Sequence, residues 1–282
     1  MPRAVVLTTA SKSSTTGGTF ADALTANTGD SLSVANYGNG QAKILEMWGI
    51  DDTSVAELSM VYTRPESTHD QSRGFRVEIP ALVPGGAGTV QAHQLLGGRV
   101  TADLYKSDVA TLNVTSTAAD AVVVSYQILY DDLPGAAGVF CSWAQVSSLQ
   151  KSLVGINSQA QASGTKGAYG ASRAFNADDD RLHANTWYAL LGGTVRTQVT
   201  TISLTGPDWG GQRIGFPAGS PQVDSSSWFV DQEWKWGLPI IPCFNSNNRG
   251  SINIQVANAT ASTTPQIDFV LYELNGTPTA GA

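Results

Sequence analysis

The sequence predicts an all-β protein: two tandem eight-stranded jelly rolls, a double jelly roll, with one connecting amphipathic helix. Three observations point there. Short apolar–polar alternations bounded by Gly, Pro, Asn or Asp recur along most of the chain, the pattern of half-buried strands. Blocks of the first half return in the same order in the second. A length of 282 residues leaves room for two sandwiches of about 110–120 residues and a connector.

In chain order, residues 1–18 are small and polar and end in Ser13-Ser14-Thr15-Thr16-Gly17-Gly18, which predicts a flexible N-terminal arm. Residues 19–137 are expected to form the first jelly roll. Its strand-like runs are Asp30–Ala35, Ala42–Ile50, Glu57–Thr63, Gly74–Ile79, Thr111–Thr115 and Val122–Tyr130. Asp131-Asp132-Leu133-Pro134-Gly135 then stops the series. The period changes over residues 138–172. Val139, Phe140, Trp143, Val146, Leu149, Leu153 and Ile156 recur at spacings of three and four, which predicts an amphipathic helix. A Gly/Ala/Ser/Gln-rich linker follows over Ser158–Ser172. The second jelly roll is expected over 173–282, with strands at Trp187–Val195, Gln198–Thr205, Ser227–Trp236, Ile252–Val256 and Ile267–Leu274.

The repeat organises these pieces. A shift of 142 carries Ser59–Glu66 onto Thr201–Asp208, so that both blocks end in Thr-x-Pro-acid. The same shift carries Leu112-Asn113-Val114 onto Ile254-Gln255-Val256 and Ile128–Asp131 onto Val270–Glu273. At a shift of 158, Leu24–Thr28 falls on Leu182–Thr186. The difference predicts an insertion of 16 residues in the first half, between Thr28 and Ser59.

Composition excludes several classes. Only 14% of residues are charged, against about 25% in ordinary soluble domains. Hydrophobic residues at 41% exclude a disordered, highly charged chain. No apolar run approaches the ~20 residues of a membrane-spanning helix. A net charge of -7 argues against a broad nucleic-acid surface, so no direct nucleic-acid binding is expected. Two cysteines, Cys141 and Cys243, make no disulfide framework. Together with an N-terminus too short in apolar residues for a signal peptide, they suggest a reducing cytosol.

Enzyme signatures are absent: the chain has no G-x-S-x-G, H-E-x-x-H or G-x-x-x-x-G-K-[ST] motif and no zinc-spaced cysteines. No catalytic residue and no cofactor is assigned. Of the three histidines, His69 sits in the polar loop Glu66–Asp70, with a triad to a distant Ser as the minor alternative, and His93 and His183 are read as local packing or hydrogen-bonding residues. The acidic runs Asp51-Asp52, Asp131-Asp132 and Asp178-Asp179-Asp180 suit a structural Ca²⁺. None has the EF-hand spacing, and acidic turn residues are the commoner explanation. Asp231 and Glu233 share a face if 227–236 is a strand, but neighbours on one strand seldom give the geometry of glycoside hydrolysis. The densest aromatic cluster surrounds them: Trp228, Phe229, Trp234 and Trp236. On a strand, Trp228, Trp234 and Trp236 would point the same way, into the core or a subunit interface. A sugar-stacking platform is the alternative.

With tandem β-halves, an interior helix and linker, low charge and a short N-terminal arm, residues 19–276 resemble the double-jelly-roll major capsid proteins of tailless icosahedral viruses. The size is similar to those of membrane-containing phages such as corticoviruses and the Finnlake-type phages. The resemblance is architectural and assigns no individual functional residue. It implies a non-enzymatic subunit whose homotrimers, pseudo-hexagonal in outline, tile a shell that is assembled in the host cytoplasm. Its implied partners are copies of itself, neighbouring capsomers, minor capsid or vertex proteins, and an internal viral membrane touched by the arm. The competing expectations are a carbohydrate-binding, receptor-binding or lectin-like β-sandwich protein and a polysaccharide-acting hydrolase.

Overall fold

The computed structural model describes residues 3–35, 42–51, 55–63, 76–80, 90–93, 102–133, 138–159, 165, 167–195, 199–218, 224–257 and 264–281. Among them the first half contributes ten strands: β1 (Ala4–Lys12), β2 (Gly18–Ala23), β3 (Thr25–Ala26), β4 (Ala42–Asp51), β5 (Val55–Thr63), β6 (Arg76–Pro80), β7 (Val90–His93), β8 (Ala102–Leu104), β9 (Val109–Ser116) and β10 (Val122–Tyr130). One sheet runs β3-β1-β10-β4-β7, with β8 also on β4, and a second runs β2-β9-β5-β6.

The second half begins with β11 (Phe140–Cys141), α1 (Trp143–Leu149), β12 (Gln150–Gln159) and β13 (Arg173–Ala174). It continues through β14 (Trp187–Val195), β15 (Thr201–Thr205), β16 (Arg213–Pro217), α2 (Trp228–Trp236), β17 (Ile241–Asn245), β18 (Asn253–Ala257) and β19 (Gln266–Leu274). Its sheets run β11-β17-β14-β19-β12 and β13-β18-β15-β16.

The two halves follow one pairing scheme. The path β1-β10-β4-β7 is repeated as β12-β19-β14-β17, and β2-β9-β5-β6 as β13-β18-β15-β16. In each half the first long strand pairs antiparallel with the last, Ala4↔Tyr130 through Lys12↔Val122 in one and Leu153↔Tyr272 through Gln159↔Gln266 in the other. The 142-residue repeat lies on equivalent strands: β5 with β15, β9 with β18, and β10 with β19. The block at a shift of 158 does not. Leu24–Thr28 includes β3, which pairs with β1, whereas Leu182–Thr186 lies in the loop before β14. Both blocks nevertheless sit in the same connection, between β2 and β4 and between β13 and β14, and the first half carries residues 29–41 between its block and β4 where Thr186 is followed directly by β14.

The sheet holding β1, β10 and β4 lies against β15 and β16 of the other half, which leaves β10 buried along its whole length. Its two faces differ in chemistry. Ser125 hydrogen-bonds Thr201 across the seam at 2.7 Å, and the Gln127 amide donates to the Gly215 carbonyl at 2.7 Å. The alternate residues Val124, Tyr126 and Ile128 join the hydrophobic core. β15 reads Thr201-Ile202-Ser203-Leu204-Thr205 for the same reason. Ile202 and Leu204 belong to the hydrophobic core, while Thr201 meets the first half. Gly215 sets the spacing of the seam. A Cβ there would lie 2.1 Å from the Ile202 carbonyl oxygen and 2.6 Å from Leu7 Cδ2.

Three expectations are corrected. The proposed arm is largely β1, with Ala4, Val5, Leu7 and Ala10 fully buried. A strand covered on both faces loses the polar alternation that marks strands in a sequence, and Thr8–Ser14, rich in Thr and Ser, has the same composition as a linker. The long helix shrinks to α1, capped by Ser142, whose Oγ accepts from Gln145 N at 3.3 Å. The apolar series merely crosses three elements: Phe140 is on β11, Val146 is the buried residue of α1, and Leu153 and Ile156 are on β12. Finally, Trp228–Trp236 is a helix and not a strand.

Candidate assembly surface

α2 is where sequence and structure part most clearly, and it organises the surface chemistry. Its signals are helical. Ser227 sits at the N-cap, Asp231 lies in the first turn, Lys235 in the last, and Gly237 closes the helix in the left-handed conformation with its N–H on the Glu233 carbonyl. Ser227 Oγ donates to Asp231 Oδ2 at 2.7 Å.

Helical spacing distributes the tryptophans. Trp228 meets Trp48 of β4 edge-on, with ring centroids 5.4 Å apart. One turn later Gln232 donates from Nε2 to Gln127 Oε1 at 2.7 Å. Lys235 reaches Glu46 Oε2 at 2.6 Å and lies over the Trp236 ring, 4.9 Å from its centroid. Phe229 turns to the core and meets Phe216 at 6.0 Å. Trp228 and Trp236 are thus half-buried and packed on the core, whereas Trp234 is 63% exposed. The common orientation expected for the three does not occur, because a six-residue step on a helix turns through about 600° and lands far from its start. The indole N–H groups of Trp228 and Trp236 and Gln232 Oε1 are buried without a hydrogen-bond partner among the described residues.

Trp234 does not stand alone. Its ring meets Trp143 of α1 edge-on at 6.4 Å, and Trp143 meets Tyr272 of β19 at 5.9 Å. Tyr272 is the register partner of Leu153 on β12, itself 63% exposed. The four side chains form an apolar surface at the α1–α2 side of the second half. The sequence does not bring these residues together, because Trp143 and Leu153 read as one helix and Tyr272 lies far along the chain on β19. β12 is also the last strand of its sheet path, so this surface adjoins a sheet edge.

The seam between the halves carries a second concentration of chemistry, all of it internal. Arg213 Nε lies 2.7 Å from Asp30 Oδ1, and Asp30 Oδ2 accepts from Thr9 N at 2.8 Å and from Tyr169 OH at 3.1 Å. The guanidinium sits over the Tyr169 ring at 4.3 Å and donates to Gln255 Oε1 at 2.9 Å. Burial raises the Asp30 carboxyl to about 6 against the pull of Arg213. Burial likewise raises Glu46, against Lys235. Trp48 Nε1 donates to Thr201 Oγ1 at 3.0 Å.

The remaining sequence candidates disperse. Asp231 and Glu233, two apart on a helix, are turned about 200° from one another and do not converge. Asp178, Asp179 and Asp180 each take their own arginine: Arg173, Arg181 and, at 2.7 Å, Arg249. Asp131 pairs with Arg3 at 3.0 Å. Asp52 and His69 lie outside the described residues, and His93 lies on β7. His183 Nδ1 is 3.3 Å from Glu273 Oε1, a carboxyl that Lys151 at 2.5 Å holds down to about 2. Among the described residues no group of three or more His, Cys, Asp or Glu gathers as a metal set. No helix among them is long and apolar enough to cross a membrane.

No protein-family model matches the chain, and no curated protein does. Solved structures to which it is similar include the following three. The T=1 Penaeus vannamei nodavirus structure aligns with 11% identity and a TM-score of 0.22, over 98% of this chain and 100% of that one. The exported protein XepA of PBSX aligns with 9% identity and a TM-score of 0.22, over 96% and 86%. The major capsid protein P2 of bacteriophage PM2 aligns with 8% identity and a TM-score of 0.23, over 98% and 100%.

Proposed function

We propose that the chain is a structural subunit of a virus shell, a double jelly roll whose homotrimers tile an icosahedral capsid assembled in the host cytoplasm. The observation that carries this reading is the pairing scheme repeated in the two halves. A chain holding two like sandwiches gives a trimer six like units, and so a pseudo-hexagonal tile. Low charge and the Trp234–Trp143–Tyr272–Leu153 surface suit lateral contact with other copies, neighbouring capsomers or minor and vertex proteins. Asp131, Asp178, Asp179 and Asp180, which the sequence offered as candidate chemistry, and the Glu273–His183 pair are held in ion pairs, which favours a non-enzymatic role. Membrane contact through residues 4–12 is not proposed, because β1 is held inside a sheet. Electron microscopy of the purified chain tests the reading. It is expected to show hexagonally outlined capsomers or shells, and a field of isolated single chains at high concentration counts against it.

One observation favours a second reading. An exposed tryptophan is a platform for sugar stacking, and Trp234 is 63% exposed. Binding on a glycan array that disappears in Trp234→Ala, in a protein that stays monomeric, would select the carbohydrate-binding alternative over the shell subunit.

A further inference from the structure

One end of the five-stranded sheet in the second half carries a cavity of about 310 Å³. There β12 and β14 begin and β17 and β19 end, so its walls come from strand ends and the turns beside them. The lining combines one aromatic ring with hydrogen-bonding groups of both kinds: Trp187, Asn185, Asn245, Lys151, Glu273 and Thr277. Trp187 is half-buried, packed on the core and in cross-strand register with Asn245. Glu273 is buried; its Oε1 accepts from Lys151 Nζ at 2.5 Å and its Oε2 from Ser152 Oγ at 2.9 Å. Two amides are oriented in advance. Asn247 N donates to Asn245 Oδ1 at 3.0 Å, Asn185 N donates to Asn247 Oδ1 at 3.1 Å, and Asn247 Nδ2 donates to Asn185 Oδ1 at 3.0 Å. A backbone N–H only donates, so the two backbone bonds fix which side-chain atom is oxygen. With their oxygens engaged, Asn185 and Asn245 present their Nδ2 groups as donors. Neither Nδ2 has an acceptor among the described residues, and neither does the Trp187 indole N–H.

We propose that this cavity binds a neutral hexose, the terminal residue of a glycan. The lining selects that chemistry. A sugar hydroxyl accepts and donates at once, so one ring takes N–H bonds from Asn185 and Asn245 and returns an O–H to Glu273. A carboxylate offers about four lone-pair sites. Lys151, Ser152 and His183, whose Nδ1 lies 3.3 Å from Oε1, leave one of them for the ligand. Trp187 supplies the apolar wall for the C–H face of the ring, while the polar groups fix its orientation. An anion fits poorly. A phosphate, a sulfate or the carboxylate of an acidic sugar would meet Glu273, which Lys151 keeps ionised and which neutralises Lys151 in turn. The volume lies at the small end of ligand pockets, which run from roughly 300 to 1,000 Å³. That holds one ring and leaves the rest of the glycan in solvent. Trp234 does not line the cavity, so this site is separate from the exposed stacking surface on α2. The inference does not rest on the shell reading and holds equally for a shell subunit and a single chain.

The test places the full-length protein on an array of neutral and acidic glycans, then titrates it in solution with the methyl glycoside of the best-bound terminal sugar. Expected is binding of neutral terminal hexoses. Asn185→Asp keeps the oxygen that accepts from Asn247 and turns the donor into a second acceptor, and should weaken binding at least about tenfold. Trp187→Leu should abolish binding, and Trp234→Ala should leave it unchanged. Wild-type protein that binds no neutral glycan, binding confined to acidic glycans, affinity unchanged in Asn185→Asp, or loss of binding in Trp234→Ala would overturn the proposal. If Trp187→Leu does not fold, Asn185→Asp still decides. Its position is exposed and left-handed, at φ 51°, a backbone that Asp tolerates, and circular dichroism checks that the fold is kept.

Discussion

Gly215 shows how a single missing atom shapes the molecule. The seam closes because nothing projects from β16 at this point. An alanine Cβ would lie within 2.1 Å of a backbone carbonyl that belongs to the paired strand and cannot rotate away. Gly215→Ala is expected to cost about 3 kcal/mol, the upper end of overpacking penalties. Urea denaturation should show this as a lower midpoint with an unchanged slope.

Asp30 gives the seam a pH dependence whose sign follows from burial. Burial lifts its folded carboxyl to about 6, above the ordinary aspartate value of 3.8. Between those values the folded chain binds the extra proton, so stability rises as pH falls through 6 and is lost as pH rises above it. For this group the gain from pH 7 to pH 4.5 is on the order of 2 kcal/mol. Asp30→Asn should flatten that rise. Glu273 acts in the opposite sense. Its carboxyl is held near 2, so its contribution is present above the unfolded value and is lost only in stronger acid. A wild-type urea midpoint that does not change between pH 7 and 4.5 would contradict the buried, ionised Asp30.

At the scale of the element, α2 separates packing from surface. Trp228 holds the helix to Trp48 of the other half, while Trp234 leaves the same helix toward solvent. Trp228→Ala should therefore cost about 3 kcal/mol. Trp234→Ser should change the stability of the monomer by no more than about 0.5 kcal/mol while weakening self-association. Denaturation and sedimentation of the two variants separate these effects.

The same helix marks the limit of what the sequence made legible. Strands dense in β-branched and aromatic residues were readable even where buried: Val122–Tyr130 and Trp187–Val195 match β10 and β14, and Ile267–Leu274 falls within β19. The aromatic trio of α2 looked like a strand because alternate tryptophans carry parity. The helical signals, Ser227 before an acidic first turn and Gly237 after Lys235, were present but outweighed. β1 was missed for a different reason. Its second half, Thr8-Thr9-Ala10-Ser11, is small and hydroxylic and runs into Ser13–Gly18, so the whole segment reads as a linker. Asp30–Ala35 was expected as a strand, but it joins the fold through the Ser33↔Val109 bridge and backbone bonds such as Val34 N to the Asp108 carbonyl. The candidate surface was half legible. Trp234 was named, but its neighbours are brought in by pairing between β12 and β19 and by the packing of α1 onto β19, which local patterns do not encode.

At the scale of the molecule, four sheets and their seam make one continuous core from two similar halves. The first strand of each half returns to pair with its last, so each half closes on itself before the seam joins them. The seam is specified by polar pairs: Ser125 with Thr201, Gln127 with Gly215 and Gln232, Asp30 with Arg213, and Glu46 with Lys235. Such pairs fix one arrangement of the halves, since sliding either sheet would leave buried donors and charges without partners. What remains outward is sparsely charged, with an apolar surface beside a sheet edge.

The proposed subunit role requires this outward surface to bind other copies of the chain. Light scattering on the purified protein across a concentration series measures that directly. Expected is a species of three chains, each of 29.5 kDa, or larger assemblies built from it, shifted toward single chains by Trp234→Ser. A mass that stays at one chain at every concentration would contradict it.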